Sequence, residues 1–300
     1  MVKSYFIGVD GGATKCTIRV EDEAGILLGQ AISGPANIRI SVPLAWQSIH
    51  TAFEKVMQSL TISLNDSSCQ FHAGMGIAGC EIGSAYKAFV HHPHQFHTLA
   101  VTQDSHAACL GAHGGKDGAL IIAGTGVAGY QVDAGNITKV SGWGFPHDDI
   151  GSGAWLGLEA ARVAFQWHDG RTPATGLAKA VLAYFDNNLE RFVNWANQAN
   201  SSAFAELAPL VVQLAKAGDV TAVNLLRGAA RALDAVGSAL QAKQQNKPRA
   251  LPCALSGGIS QFVKPYLGNA LQARLVSSQL PPEAGAILFL RQAMTESGAN

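Results

Sequence analysis

Apolar residues in the first third of the chain change spacing from segment to segment, and each spacing predicts an element. Tyr5-Phe-Ile-Gly-Val9 is a short apolar run halted by Asp10, Gly11 and Gly12, which predicts a buried strand over 5–10. Cys16–Glu21 and 26–31 predict two further strands, with a turn over 22–25 between them. The period then lengthens. Val42, Trp46, Ile49, Phe53, Val56 and Leu60 recur at steps of three and four, one face of a helix, and Ser41 stands where a cap belongs. A strand over 71–77, a short helix over 84–90, a strand over 98–102 and a helix opening over 104–110 follow.

The middle of the chain repeats this opening. A buried run over 119–123 is halted by Gly124-Thr125-Gly126, and 127–132 with 137–141 predict a hairpin around 133–136. Strand, glycine turn, strand, turn, strand thus occurs near Asp10 and again near Gly124, an internal repeat that implies two similar α/β halves. The rest is mainly helical: 154–167, 174–185, and a long helix after Asp219 marked by Val220, Val223, Leu226, Leu233, Val236 and Leu240, ending before a polar stretch at 244–248. A strand at Cys253–Ser256 precedes Gly257-Gly258, and the last helix starts after Pro281-Pro282. The hinge between halves is expected around 109–115.

Composition narrows the function classes. With 300 residues, 48% of them hydrophobic, the chain can bury about three quarters of its unfolded surface, which suits two domains. Only 14% of residues are charged, which excludes a disordered chain. The 21 basic and 21 acidic side chains balance, so no basic footprint for nucleic acid is visible. Apolar runs such as 284–290 fall far short of the roughly 18 residues that a membrane span needs, and Met1 leads straight into a strand without a leader pattern. Cys16, Cys69, Cys80, Cys109 and Cys253 are odd in number and form no C-x-x-C, so reduced thiols in a cytoplasm are expected.

Five constellations carry candidate chemistry. Gly8-Val-Asp-Gly-Gly-Ala-Thr-Lys15 ends a strand in a carboxylate, then lets bare backbone approach a ligand. Successive N–H groups in such a turn cradle an anion, with Thr14 and Lys15 adding a hydroxyl and a cation; a tight hairpin that merely needs glycine is the plainer alternative. The motif is neither a Walker A loop nor G-x-G-x-x-G. Asp10 beside bound phosphates would hold Mg2+ through water. Ala123-Gly-Thr-Gly-Val127 occupies the equivalent place in the repeat and would clamp the same polyphosphate. In Val101-Thr-Gln-Asp104 an acid directly after a strand would take a proton from a hydroxyl nucleophile, or else cap the helix; His106 is read as packing. Gly142-Trp-Gly-Phe-Pro146 with Asp148 and Asp149 has the aromatic wall and carboxylates of a sugar site. Leu255-Ser-Gly-Gly-Ile259 would admit a flat adenine against bare backbone. Asn37 sits in a turn where it could meet a substrate hydroxyl. The run His91-His-Pro-His-Gln-Phe-His97 resembles a metal tract but lacks carboxylate and cysteine partners, so a solvated loop is expected.

Together these motifs resemble the sugar-kinase, heat-shock-chaperone and actin superfamily, and within it the BadF/BadG/BcrA-type ATPase branch that includes N-acetylglucosamine kinases and bacterial glucosamine kinases. The matches are Gly8–Lys15 and Ile122–Gly126 as phosphate loops, Met75–Gly79 as a connecting segment, Ser256–Gly258 as an adenosine motif, and Gly142–Pro146 followed by Gly151-Ser-Gly-Ala-Trp155. The resemblance implies an α/β fold of two actin-like, ribonuclease H-like domains with a cleft between them. The domains would be 1–110 on the sugar side and 111–300 on the nucleotide side, with the last helix packing back on the first. It implies an amino-sugar kinase that uses ATP and Mg2+ to phosphorylate the 6-hydroxyl of glucosamine or N-acetylglucosamine. Asp104 would be its base; Gly11, Gly12, Thr14, Lys15, Gly124, Thr125, Gly126, Gly257 and Gly258 would bind the nucleotide; Asn37, Gly79, Trp143, Gly144, Asp148 and Asp149 would line the sugar, with Asp148 as partner for a free amine; and Asp10 would order Mg2+. Where N-acetylglucosamine kinases usually carry Gly-Asp-Glu-Gly-Ser, this chain has Asp148-Asp-Ile-Gly-Ser152, so Ile150 replaces glutamate and both amino sugars stay open. Small-molecule partners, a cytoplasmic setting and room for a homodimer complete the expectation. An ATPase activator of a radical dehydratase and a non-catalytic sugar or nucleotide binder are the alternatives.

Overall fold

A computed structural model describes residues 2–245 and 249–298. It divides into two compact units: Met1–Gly118 with Val132–Ile137 and Ser277–Asn300, and Ala119–Gln131 with Thr138–Val276.

The first unit opens with β1 (Lys3–Gly11), β2 (Cys16–Glu21) and β3 (Leu27–Ser33), then α1 (Val42–Ser59), β4 (Cys69–Ile77), α2 (Gly83–Val90), β5 (Thr98–Gln103) and α3 (Asp104–Ala112). Its sheet runs in the order β3-β2-β1-β4-β5, antiparallel between β1, β2 and β3 and parallel from β1 through β4 to β5. Alternation along β1 sorts its side chains onto two faces. Ile7 and Val9 join the core built on Trp46, Phe53 and Met75, while Phe6 packs with Ile287 and Leu290 of the last helix. Ser41 caps α1 as its position predicts, accepting from the Leu44 N–H at 3.2 Å.

The second unit holds β6 (Gly118–Ala123), β7 (Val127–Asp133) and β8 (Asn136–Ser141), apart from Gly118 and the β7–β8 tip at Val132–Ile137, then α4 (Gly153–His168), α5 (Gly176–Tyr184), α6 (Leu189–Gln198), α7 (Ser201–Ala205), α8 (Ala208–Lys216), α9 (Val220–Ala242), β9 (Cys253–Ser256), α10 (Ser260–Val263), α11 (Asn269–Gln272) and β10 (Leu275–Val276). Its sheet order, β10-β9-β6-β7-β8, is the first order with each strand replaced by its counterpart, so the repeat read from the glycine turns is a repeat of topology. Of the polar stretch at 244–248, residues 246–248 lie outside the described residues. Helices α6, α7 and α8 were not anticipated. Their signal was present in Asn188 and Asn200, which cap α6 and α7 by accepting from Arg191 N and Ala203 N at 3.0 Å each.

The final helix, α12 (Pro282–Gly298), belongs to the first unit and lies on β1, β4 and α3. Glycine makes this packing possible. A Cβ at Gly8 would stand 1.9 Å from the Glu283 carbonyl oxygen, one at Gly74 2.0 Å from that of Ala286, and one at Gly285 1.9 Å from that of Ala107. Only missing side chains let a helix backbone approach this near. The histidine run is a loop with His91, His94 and His97 exposed, and it is anchored by stacking of His92 and His94 on the buried Trp46 at 5.4 and 5.8 Å.

Candidate active site

In the first unit, β1 delivers Asp10 to its C-terminal end, paired in register with Thr17 and Gly76. The turn that follows is anchored through its carbonyls. Gly11 O accepts from Ala78 N at 2.8 Å and Gly12 O from Ala36 N at 2.9 Å, while Gly12 N donates to Lys15 O at 3.0 Å. Thr14 and Lys15 are exposed beyond it. Asp104 is the first residue of α3 and its Oδ1 accepts from Ser105 N at 2.8 Å. The cap position itself belongs to Gln103, whose side chain makes no cap bond, and Asp104 stands in the first turn of α3. Gly76 sets how close α3 comes to β4: a Cβ there would lie 3.3 Å from Asp104 Cα and 2.5 Å from Ala107 Cβ. His106 is buried with Nδ1 2.8 Å from Thr102 Oγ1 and its ring edge against Phe289, a packing role as read.

Sequence reasoning missed Glu283. It lies in the first turn of α12, buried, and its Oε1 accepts from Gln30 Nε2 at 3.1 Å. Burial pushes the Asp10 carboxyl up to about 6, the negative charges of Asp104 and Glu283 add to the rise, and Lys15 opposes it. Among the described residues no three acidic, histidine or cysteine side chains converge tightly enough to hold an ion by themselves. A half-buried carboxylate facing two like charges nevertheless suits a hydrated dication whose remaining ligands come from water and phosphate, so these residues fit Mg2+.

Asn37 and Gly79 meet in the same unit. Asn37 pairs with Ala78 in an isolated parallel bridge, its Oδ1 accepts from Arg39 N at 2.9 Å, and a Cβ at Gly79 (φ +94°) would lie 2.9 Å from that oxygen.

In the second unit, the Gly124–Gly126 turn closes on itself through Gly124 N to Gly126 O at 2.9 Å. The start of α4 is spent on this turn, with Gly153 N donating to Gly124 O at 2.7 Å and Ala154 N to Thr125 O at 3.2 Å. Asp149 braces it from behind: its Oδ1 accepts from Val127 N at 3.1 Å, and its carboxylate lies 3.0 Å from where a Gly126 Cβ would be. Burial raises the Asp149 carboxyl, and the Val127 bond opposes the rise. Asp148 is held in its own loop, accepting from Ser141 Oγ at 3.0 Å and Trp143 N at 3.1 Å on one oxygen. Trp143 is 78% exposed, with Lys139 Nζ 5.2 Å from its ring centre, and Gly144 takes φ +101°. Gly257 (φ +95°) lies against β6, where a Cβ would meet Ala123 O at 2.3 Å, whereas a Cβ at Gly258 would meet nothing within 4 Å.

A cavity of about 780 Å³ opens beside these turns, lined by Gly124, Thr125, Gly153 and Gly258 and walled by α8 and Phe262. Thus Gly124, Thr125 and Gly258 come together at one pocket, Asp10 and Asp104 at one carboxylate group with Glu283, and Asn37 with Gly79. Of the sugar-lining candidates, Asn37, Gly79 and Asp104 belong to the first unit, and Trp143, Gly144, Asp148 and Asp149 to the second. The α8 wall was not anticipated, because nothing local in an amphipathic segment says which of its faces borders a cavity.

Two five-stranded mixed sheets of matching order, each with a glycine turn after its first strand, define an actin-like α/β ATPase fold. Residues 7–289 match the BadF/BadG/BcrA/BcrD ATPase family, and the chain belongs to that family. It is 32% identical over 286 residues to the glucosamine kinase GspK of Vibrio cholerae, covering 95% of each chain. It is 25% identical to the N-acetyl-D-glucosamine kinase of Dictyostelium discoideum, covering 96% of this chain and 98% of the relative. Among solved structures, a Chromobacterium violaceum protein provisionally named N-acetylglucosamine kinase superposes with a TM-score of 0.85 at 32% identity, covering 96% of this chain and 99% of its own. A ROK-family glucokinase from Streptomyces griseus shares the fold at a TM-score of 0.54 and 16% identity, covering 97% and 99%. Family membership implies use of ATP. No described helix is long and apolar enough to cross a membrane.

Proposed function

We propose that this chain is an ATP-dependent kinase of an amino sugar, glucosamine or N-acetylglucosamine, acting on the 6-hydroxyl with Asp104 as general base. The observation that carries the reading is the carboxylate pair at the ends of β1 and β5: Asp10 closes one strand and Asp104 opens the helix after the other, each beside Gly76. Its relatives at 25% identity and above are named as kinases of amino sugars, which supports the substrate class.

In this reading the nucleotide occupies the 780 Å³ pocket, and its phosphates meet the donors that the Gly124–Gly126 turn does not spend on itself, the N–H groups and hydroxyl around Thr125. Gly12, Thr14 and Lys15 supply a second set of donors. Asn37 and the bare backbone at Gly79 hold sugar hydroxyls, with Trp143 and Gly144 contributing from their loop. Asp104 accepts the proton of the 6-hydroxyl while that oxygen bonds to the γ-phosphorus and the bond to the β-phosphate oxygen breaks, releasing ADP. Mg2+, held at Asp10 through water, would neutralise charge on the phosphates. Catalysis then rests on alignment and charge, because phosphoryl transfer needs little covalent help from the protein.

A coupled ADP-release assay with ATP and Mg2+ on glucosamine, N-acetylglucosamine and glucose tests this. The expected outcome is turnover on one amino sugar, reduced about 10²–10⁴-fold in Asp104→Asn as for loss of a general base, with nucleotide binding retained. ATP hydrolysis that ignores sugar would instead favour an activator-type ATPase and overturn the kinase.

A further inference from the structure

The 780 Å³ pocket has a polarity gradient along one wall, and the gradient bears on which base it takes. The wall is a single face of α8: Ala208, Val212 and Lys216 form one row at four-residue steps, and Pro209 and Gln213 the next. The first turn of this face is apolar. The last turn carries an amide and an ammonium, both exposed. Eight residues separate Ala208 from Lys216, about 12 Å along a helix axis at about 1.5 Å per residue. The lining continues through Gly258, Ile259 and Phe262, with the Gly124, Thr125 and Gly153 turns. Gly258 leaves a flat face, since a Cβ there would project into open space, and Lys216 Nζ stands 4.9 Å from the Phe262 ring centre. The lining is therefore bare backbone at Gly258 and apolar along most of α8, and polar at Thr125 and at the Gln213–Lys216 end of the helix.

This step rests on the reading of the pocket as a nucleotide site. With phosphates at the Thr125 turn, a base lying between α8 and Gly258 meets Gln213 and Lys216 edge-on. The two side chains suit different purines. A glutamine amide presents an N–H donor beside its carbonyl acceptor, the complement of the N7 acceptor and N6 donor of adenine. A lysine offers only donors, the complement of the O6 and N7 acceptors of guanine. We propose that Gln213 and Lys216 together read the purine edge, so that the pocket accepts adenine and guanine nucleotides alike, Gln213 weighting adenine and Lys216 weighting guanine. The cation–π contact with Phe262 gives the exposed ammonium a partner on the rim when adenine is bound. A pyrimidine, with a shorter edge, reaches neither group while stacked on Gly258.

The test is equilibrium displacement of a ribose-labelled fluorescent ADP from the full chain by ADP, GDP and CDP, without sugar. The expected result is ADP and GDP within about tenfold of each other and CDP at least about tenfold weaker, the low end of what a two-bond edge contact discriminates. Lys216→Ala should weaken GDP about tenfold and ADP less than threefold; Gln213→Ala should do the reverse. Both residues are exposed and cap nothing, so the variants keep the fold, and an unchanged melting temperature without nucleotide checks it. GDP more than a hundredfold weaker than ADP, or either substitution weakening both nucleotides equally, overturns the proposal while leaving the kinase intact. If no nucleotide displaces the probe, the pocket reading falls with it.

Discussion

Asp10 shows what a buried carboxylate costs its own fold. Its carboxyl ordinarily titrates near 3.8 and here is raised to about 6 by burial, Asp104 and Glu283. A raised folded value means its favourable contribution is complete below the unfolded pKa and is lost as pH climbs through about 6. At neutral pH the ionised group therefore destabilises the ligand-free protein, by an order of 2–3 kcal/mol for a shift of about two units. Asp10→Asn should raise the melting temperature by several degrees at pH 7.5 while abolishing turnover, and the gain should vanish in scans below pH 4. A loss of stability at pH 7.5 would show that Asp10 is held by favourable contacts instead. Asp10, Gly11 and Gly12 were legible in the sequence because strand, carboxylate and turn are neighbours in the chain. Glu283 was not, because its partner Gln30 lies 253 residues away. Asp148 and Asp149 were read as free to meet a sugar. Folding engages one oxygen of each, Asp148 Oδ2 with Ser141 and Trp143 and Asp149 Oδ1 with Val127.

At the scale of elements, the site depends on helices brought unusually near a sheet. Gly74 faces the backbone of α12, and a methyl group there would stand 2.0 Å from the Ala286 carbonyl oxygen. Helix α12 would have to move and would carry Glu283 away from Asp10. Gly74→Ala should cost at least about 1–3 kcal/mol, the usual range for overpacking, with denaturant midpoint as the readout, and should lower kcat more than it changes nucleotide affinity. A neutral result would mean that α12 shifts freely and that Glu283 has no part in the site. The strand and long-helix boundaries were readable to within a few residues from period and caps. The short helices α6 to α8 were not, since five to ten residues show too few turns for a period to stand out.

For the molecule as a whole, the 780 Å³ pocket is lined entirely by the second unit and the Asp10 carboxylate group entirely by the first. Hydrogen exchange should separate them. Added ADP is expected to slow exchange in the Gly124–Gly126 turn, along α8 and through 256–262, and to leave α1 unchanged. Protection confined to the first unit would move the nucleotide out of the pocket. Ligand at about a hundred times its dissociation constant should add about 2.7 kcal/mol to the stability of the unit that binds it, which a melting curve can register.

By itself the sequence determined the repeated α/β plan, the two glycine turns and the strand-end carboxylates Asp10 and Asp104. All of these are local: alternation, helical period and glycine act on neighbours in the chain. The tertiary structure alone decided that Glu283 joins Asp10, that α8 walls the pocket, and that Asp149 braces a turn. Those depend on which backbones can approach and which buried polar groups find partners, and such pairings join residues that no spacing in the chain connects.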